Sequence, residues 1–237
     1  MGSPVLEIKD LCKSFEIHEA GRQIKACKNV NIQVNSGEFV GITGKSGSGK
    51  STILKLIYRS YLPQQGSVIY HSRAFGPIDL LKADERKIIY LRRYEIGYVS
   101  QFLRVIPRIT ARCIVEKALL EMGKSEDEAS VKTGNILTHF ELSRGLWDSY
   151  PATFSGGEKL RLNIARAAVK EPRLLLLDEP TAGLDAHSKQ KVREIIEYLK
   201  TKGTTMLGIF HDLEFMTGLC DREHRMSDGK MEKDIEG

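Results

Sequence analysis

Glu38-Phe39-Val40-Gly41-Ile42-Thr43-Gly44-Lys45-Ser46-Gly47-Ser48-Gly49-Lys50-Ser51 runs an apolar segment into a glycine-rich turn. Residues 38–43 read as a short buried strand. Ser51 to Tyr58 reads as a helix, with Ile53, Leu54 and Ile57 on its apolar face. The turn between them, Gly44 to Ser51, is a full match to G-x-x-x-x-G-K-[ST] in the strand–loop–helix setting that this pattern requires. Its glycines let the backbone wrap a chain of phosphates and point N–H groups inward. Lys50 supplies a point charge to the β- and γ-phosphates, and the Ser51 hydroxyl can ligate Mg²⁺. The stretch Gly44, Lys45, Ser46, Gly47, Ser48, Gly49, Lys50, Ser51 and Thr52 is therefore the expected nucleotide cradle, and the fold class it predicts is α/β.

A second phosphate-holding device lies at Phe154-Ser155-Gly156-Gly157-Glu158, ahead of the apolar run Leu174–Leu177 and then Asp178-Glu179-Pro180. Ser155, Gly156 and Gly157 are expected at a helix N-terminus, where unpaired donors and the positive dipole end attract a phosphate. A single nucleotide rarely needs both devices from one subunit, so the second suggests use in trans, on the nucleotide of a partner.

Composition narrows the function classes. A chain of 237 residues can bury one sizeable α/β core with a small inserted subdomain. Its 41% hydrophobic and 28% charged residues are ordinary for a globular protein. No apolar run approaches the roughly 18 residues needed to span a bilayer, and no basic segment followed by an apolar core opens the chain. Direct membrane insertion is not expected, and a cytoplasmic location is. Cys12, Cys27, Cys113 and Cys220 are scattered, which points to reduced thiols and away from zinc or disulfides. The net charge of +5 is mild. Basic residues gather at Arg86-Lys87 and Arg92-Arg93, read first as solvated faces, and at Arg104, Arg108 and Arg112, where Arg104 and Arg108 flanking Ile106-Pro107 suggest a basic, rigid contact surface. No aromatic residues alternate with them, so a nucleic-acid partner is not expected.

Along the chain, period-two alternation marks strands at Val5–Ile17 and Val30–Val34, joined through a polar turn region at Glu19–Lys25. Further strands are expected at Gly66–Tyr70 and Ile96–Ser100, with a helix at Asp84–Arg93. From Thr110 to about Gly145 only helical signals occur: Val115, Ala118, Leu119 and Met122 share one face, and Ser125-Glu126-Asp127-Glu128 opens a second helix. The chain is thus expected to be a single domain over residues 1–237. An α/β core with an antiparallel β-subdomain comprises 1–101 and 155–237, and an inserted helical subdomain comprises 102–154. After Gly157 a helix runs to Ala168, followed by a strand at Arg173–Asp178, a helix presenting Val192, Ile195, Ile196 and Leu199, and a strand at Thr205–Phe210.

Phosphoryl transfer to water needs a metal clamp, a placed nucleophile and donors for the charge on the transferred group. Asp178 closes an apolar strand and can hold Mg²⁺ together with Ser51. Glu179 is the expected general base or water-orienting carboxylate. Gln101, at another strand end, offers an amide to the metal or the attacking water. His211, after the strand ending Gly208-Ile209-Phe210, can donate to the γ-phosphate. Alone, Gln101 reads as a solvated amide and His211 as a structural histidine. The remaining histidines, at 18, 71, 139, 187 and 224, lack metal-ligand spacing.

Lys50, Gln101, Ser155-Gly156-Gly157, Asp178-Glu179, Asp185 and His211 occur in the order found in the ABC ATPase family, a class of P-loop NTPases. They resemble its Walker A loop, Q-loop, signature loop, Walker B strand, D-loop and switch histidine, over about Val5 to Met226. The resemblance implies ATP and Mg²⁺ as cofactors and Phe15 as the aromatic that stacks on adenine. It also implies a head-to-tail dimer, with itself or with a second ABC protein, in which Ser155 and Gly157 close over the partner's γ-phosphate. Glu158 departs from the Gln of many members and leaves the preceding Ser-Gly-Gly intact. A narrower resemblance lies in Val99-Ser100-Gln101-Phe102-Leu103-Arg104-Val105-Ile106-Pro107-Arg108-Ile109, with Leu56-Ile57-Tyr58, Tyr61-Leu62-Pro63 and Gly208-Ile209-Phe210-His211-Asp212. These look like the PhnL family of the bacterial carbon–phosphorus lyase system, which implies soluble phosphonate-lyase subunits as partners. PhnL-type proteins are associated with formation of ribose 1-methylphosphonate 5-triphosphate. Two other readings stand beside it: the ATPase subunit of a membrane transporter of the small exporter or lipoprotein-release type, and a nucleotide-gated assembly module with negligible turnover.

Overall fold

The computed structural model describes residues 2–17, 22–100 and 108–232. Two long strands, β1 (Pro4–Ile17) and β2 (Arg22–Asn35), pair antiparallel with Ile8 opposite Ile32 and Phe15 opposite Ile24. With β4 (Gln65–Ser72) and β5 (Gly76–Asp79) they form a four-stranded sheet in the order β2-β1-β4-β5. The second strand starts at Arg22, inside the span expected to turn. Pairing with β1 recruits the polar residues Gln23 and Lys25 into the ladder, which polarity alone did not predict. The short β5 was not expected either; its Pro77 is tolerated because the strand lies at the sheet edge.

A six-stranded sheet in the order β10-β9-β3-β8-β7-β6 carries the rest of the core. Its strands are β3 (Phe39–Thr43), β6 (Ile96–Val99), β7 (Leu174–Asp178), β8 (Thr205–Ile209), β9 (Arg222–Ser227) and β10 (Lys230–Met231). All of its pairings are parallel except that of β9 with β10. Side chains alternate across a strand, so the four leucines of β7 divide between two cores. Leu174 and Leu176 pack with Val40, Ile42, Leu207 and the antiparallel sheet. Leu175 and Leu177 pack with Phe39, Met206 and the helical layer. A strand covered on both faces reads as an unbroken apolar run, which is why β3, β7 and β8 were legible. β9 was not expected: only His224 and Met226 turn inward, and its remaining residues are exposed.

The helices follow their local signals. α1 (Lys50–Ile57) buries Ile53, Leu54 and Ile57. α2 (Glu85–Tyr94) is capped by Asp84, whose side chain accepts from the Lys87 N–H. Residues 110–147 form α3 (Ala111–Leu120), α4 (Glu126–His139) and α5 (Arg144–Trp147), with Thr110 and Ser125 as caps of the first two. Their apolar faces join one cluster with α6 (Gly156–Ala168) and α7 (Ala186–Thr201). A short α8 (Leu213–Met216) was not expected. Arg92 departs from its reading as a solvated charge: its guanidinium lies 4.6 Å from the Tyr58 ring centroid and donates to the Tyr58 carbonyl. Among the described residues no helix is long and apolar enough to cross a membrane, and no His/Cys/Asp/Glu cluster could hold a metal ion.

Candidate nucleotide site

The parallel register sets Ile42 of β3 and Asp178 of β7 on either side of Ile209. The loop after β3, the acids ending β7 and the histidine after β8 therefore emerge together at the carboxyl ends of neighbouring strands. Open α/β sheets bind ligands there.

The loop itself is held in shape by close approaches. Gly44 has φ 137°, and a Cβ there would lie 2.0 Å from the Met226 carbonyl oxygen. Gly49 has φ 108°, and its Cβ would lie 1.9 Å from the Ala26 carbonyl. Neither position admits a side chain: Met226 of β9 closes on Gly44, and Ala26 of β2 with Met226 closes on Gly49. The backbone of Ser48 is gripped as well, accepting from the Gly229 N–H at 3.1 Å. Lys45, Ser46 and Gly47 form the exposed lip, and Thr52 is half-buried behind them.

Lys50 is 3% exposed, and its ammonium donates to the carbonyls of Gly44 at 2.8 Å and Lys45 at 2.9 Å. Burial lowers its pKa, opposed by the charges of Glu179 and Asp178. A buried cation folded onto the mouth of its own loop suits an anionic ligand. Buried Ser48 Oγ has no hydrogen-bond partner and marks a further polar position in the loop.

Ser51 donates its hydroxyl to Asp178 Oδ1 at 2.9 Å, which brings together the hydroxyl and carboxylate predicted to share a metal. Tyr98 donates to the other oxygen, Oδ2, at 2.7 Å. Burial, then the bond to Asp178, pushes the Tyr98 phenol far above its ordinary range, so it stays a donor. Sequence reasoning missed Tyr98; its one signal was a polar aromatic within the short strand before Gln101. An alcohol and a carboxylate side by side are the hard oxygen ligands that Mg²⁺ takes alongside phosphate, so the residues fit that ion.

Glu179 adopts φ 51°, the left-handed region that a non-glycine residue rarely enters. Its N–H donates to the Ile209 carbonyl at 3.2 Å, which anchors the turn to β8. The carboxylate meets His211, with Nε2 2.7 Å from Oε1. Acid and imidazole, expected separately from two strand ends, thus form a pair.

The Ser-Gly-Gly device opens α6 as expected. Ser155 is the cap: its hydroxyl accepts from the Glu158 N–H, and the Glu158 carboxylate accepts from the Ser155 N–H at 2.8 Å. That reciprocal capping box gives the residue at 158 a structural task. Ser155 and Gly156 are exposed. Gly157 packs against α7, where a Cβ would lie 2.5 Å from Ser188 Oγ. Asp185 caps α7, accepting from the Ser188 N–H and hydroxyl, each at 2.9 Å. Ser155 and Asp185 thus spend these bonds within their own helix starts, away from the Gly44–Ser51 loop. Phe15 is half-buried beside Tyr61 in an edge contact of 5.3 Å, with the Lys13 ammonium 4.9 Å from its centroid. Gln101 and Arg104 lie outside the described residues. The strand leading to them is fixed by buried Asn163, which donates to the Ser100 carbonyl at 2.9 Å.

A glycine loop folded around a buried lysine, an adjacent hydroxyl and carboxylate, and a carboxylate–histidine pair at one sheet edge have the arrangement of a P-loop ATPase cassette. The chain belongs to the ABC transporter family, whose model matches residues 27–182. It is 36% identical over 228 residues to "Putative hemin import ATP-binding protein HrtA" of Staphylococcus haemolyticus, covering 96% of this chain and 99% of that protein. It is 33% identical to the lipoprotein-releasing system ATP-binding protein LolD of Alcanivorax borkumensis, covering 98% of each. Among solved structures, the dimeric ABC transporter cassette MJ0796 superposes with a TM-score of 0.87 at 31% identity, covering 96% of this chain and 97% of that one. The fold is that of an ABC ATPase domain, with an antiparallel β-subdomain and a helical insertion on the α/β core.

Proposed function

We propose that this chain is the ATP-hydrolysing subunit of a membrane transporter of the small exporter or lipoprotein-release type, working with a permease on a separate chain. One observation carries the reading: the chain matches ATP-binding subunits named for import and release systems over nearly the whole length of both partners. The carbon–phosphorus lyase reading rests on the segment Val99–Ile109 together with Leu56-Ile57-Tyr58, Tyr61-Leu62-Pro63 and Gly208-Ile209-Phe210-His211-Asp212. Most of the Val99–Ile109 segment, residues 101–107, lies outside the described structure, and the relatives above are named for transport and release. The phosphonate assignment therefore gives way to the transporter one. The juxtaposed Glu179 and His211 also weigh against a module without turnover.

In this reading the N–H groups of residues 44–51 and the Lys50 ammonium hold the β- and γ-phosphates of ATP, and Phe15 stacks on the adenine. Ser51 and Asp178, with Gln101, hold Mg²⁺, which supplies charge neutralisation on the phosphates. Glu179 accepts the proton of the attacking water, and His211 orients that carboxylate and donates toward the γ-phosphate. Two chains pair head to tail, so that Ser155, Gly156 and Gly157 of one cover the nucleotide of the other, with Asp185 beside them. A helical insert over 102–154 is proposed within the single domain, with α3, α4 and α5 as its described helices.

Affinity capture from native membranes tests the assignment. Recovery of an integral membrane permease is the expected result; recovery of phosphonate-lyase subunits without a permease would overturn it and restore the other reading.

A further inference from the structure

A cleft of about 730 Å³ opens at the opposite edge of the parallel sheet from the nucleotide loop. It lies where three layers meet: Ser36 between β2 and β3 with Arg73 after β4, the α4 residues Lys132 and His139, and the ends of α6 and α7. Arg173 immediately precedes β7, whose five residues end at Asp178. At about 3.3 Å per residue, roughly 16 Å of strand separates the cleft from the metal-binding acid.

The walls are lopsided in charge. Arg73, Lys132, Arg173 and Lys202 line them, against the single acid Glu171. Arg173 Nε is buried and has no hydrogen-bond partner. Among the described residues, neither Arg73 nor Arg173 has a carboxylate within ion-pair distance. Lys132 is held loosely, 3.5 Å from Glu128 and 3.8 Å from Glu171. Lys202 lies 5.3 Å from the centroid of the Tyr198 ring, and the His139 ring lies tilted against that ring at 3.9 Å. Converging cations in a concave site of this volume suit a small ligand; an extended basic stripe would suit a polymer.

We propose that this cleft is a binding site for a small polyvalent oxyanion, a phosphorylated or polycarboxylate metabolite, distinct from the nucleotide site. The ligand is clasped by the cationic groups of Arg73, Arg173 and Lys202, while the Tyr198–His139 pair forms an aromatic wall. Because its clasping groups come from the antiparallel sheet, the core and the helical insert, occupancy ties those three parts together. The inference stands independently of which transporter the chain serves.

Calorimetry on the full chain, with ADP saturating the nucleotide loop, provides the test, using citrate and pyrophosphate as probes of the two ligand classes. Saturable binding by at least one probe is expected, weakening as salt rises. Arg73→Gln with Lys202→Gln, both exposed positions, should weaken that binding at least ~10-fold while ADP affinity stays parental. Arg173→Met should do the same. If Arg173→Met fails to fold, the double variant at Arg73 and Lys202 decides. No saturable binding of either probe, or parental binding by the double variant, would overturn the proposal.

Discussion

Tyr98 and Asp178, on neighbouring strands β6 and β7, share a hydrogen bond of 2.7 Å that leaves Asp178 flanked by two hydroxyl donors. The carboxylate proposed to bind Mg²⁺ is thereby oriented before any ligand arrives, with Ser51 on one oxygen and Tyr98 on the other. Groups behind a metal ligand commonly set its affinity by 10- to 100-fold. Tyr98→Phe, which keeps the ring and its packing 4.9 Å from Tyr58, should therefore raise the Mg²⁺ concentration needed for half-maximal ATPase activity by ~10-fold. ATP binding without Mg²⁺ should not change. An unaltered Mg²⁺ titration would show that Tyr98 serves packing alone.

Lys50→Ala removes the one ammonium folded onto the loop carbonyls. In the proposed mode the freed ammonium turns to the β- and γ-phosphates, and charge-assisted hydrogen bonds contribute about 1.5–3 kcal/mol each, so the loss of those two predicts an ATP affinity reduced at least ~10²-fold. Calorimetry checks this, with circular dichroism confirming the fold. Parental affinity would mean that the nucleotide sits elsewhere.

Glu179→Gln keeps every phosphate donor and removes the proton acceptor. Hydrolysis should slow by at least ~10²-fold, and with ATP the variant should elute as a dimer in size-exclusion chromatography, held by nucleotide at the interface. A monomeric profile at saturating ATP counts against the trans use of Ser155 and Gly157.

Gly157→Ala places a methyl group 2.5 Å from Ser188 Oγ and must displace either the signature turn or the α7 cap at Asp185. ATP binding by the isolated chain should persist while turnover falls ~10-fold or more, since a 1 Å misplacement of a reacting group can cost 10²-fold. Adding Ser188→Gly, which vacates the space, should restore part of the rate. Turnover unaffected by Gly157→Ala would remove this turn from the machinery.

Glu38 links β3 to β9 through Arg222 and accepts from the Asn35 N–H at 2.7 Å. Burial opposes its charge, but the Arg222 pair and the Asn35 N–H together hold its pKa below the ordinary 4.5. A carboxylate depressed in the folded state stabilises the fold above its unfolded pKa and loses that contribution as pH falls through the lower folded value. Melting temperature should therefore drop more steeply below about pH 5 in the parent than in Glu38→Gln. Identical slopes would show that the pair is solvated in solution.

Much of this architecture was legible because its signals are local. Doubly covered strands read as apolar runs at 39–43, 174–178 and 205–209, and Asp84, Thr110, Ser125 and Ser155 each announce a helix start within one turn. What escaped depends on partners distant in sequence. Arg22–Lys25 is polar and becomes strand only by pairing with β1; Arg222–Ser227 becomes strand only by pairing with β3. The site divides in the same way. The loop, Asp178, Glu179 and His211 could be named from motif and order. The bond from Tyr98 to Asp178 and the bracing of Gly44 by Met226 needed the register of the sheet.

That bracing bears on how the molecule is made. The loop at Gly44–Ser51 is shaped by Met226 and Gly229, and neighbouring Thr43 donates to Glu223 across 180 residues of sequence. Contacts so far apart along the chain close late, because the entropy of a large loop must be overcome first. During synthesis the phosphate motif leaves the ribosome early but stays unshaped until β9 and β10 emerge to lie against it. A nascent chain would thus carry its nucleotide signature through synthesis of the 180 residues between Thr43 and Glu223 without a formed cradle, and acquire the capacity to hold ATP only as β9 docks.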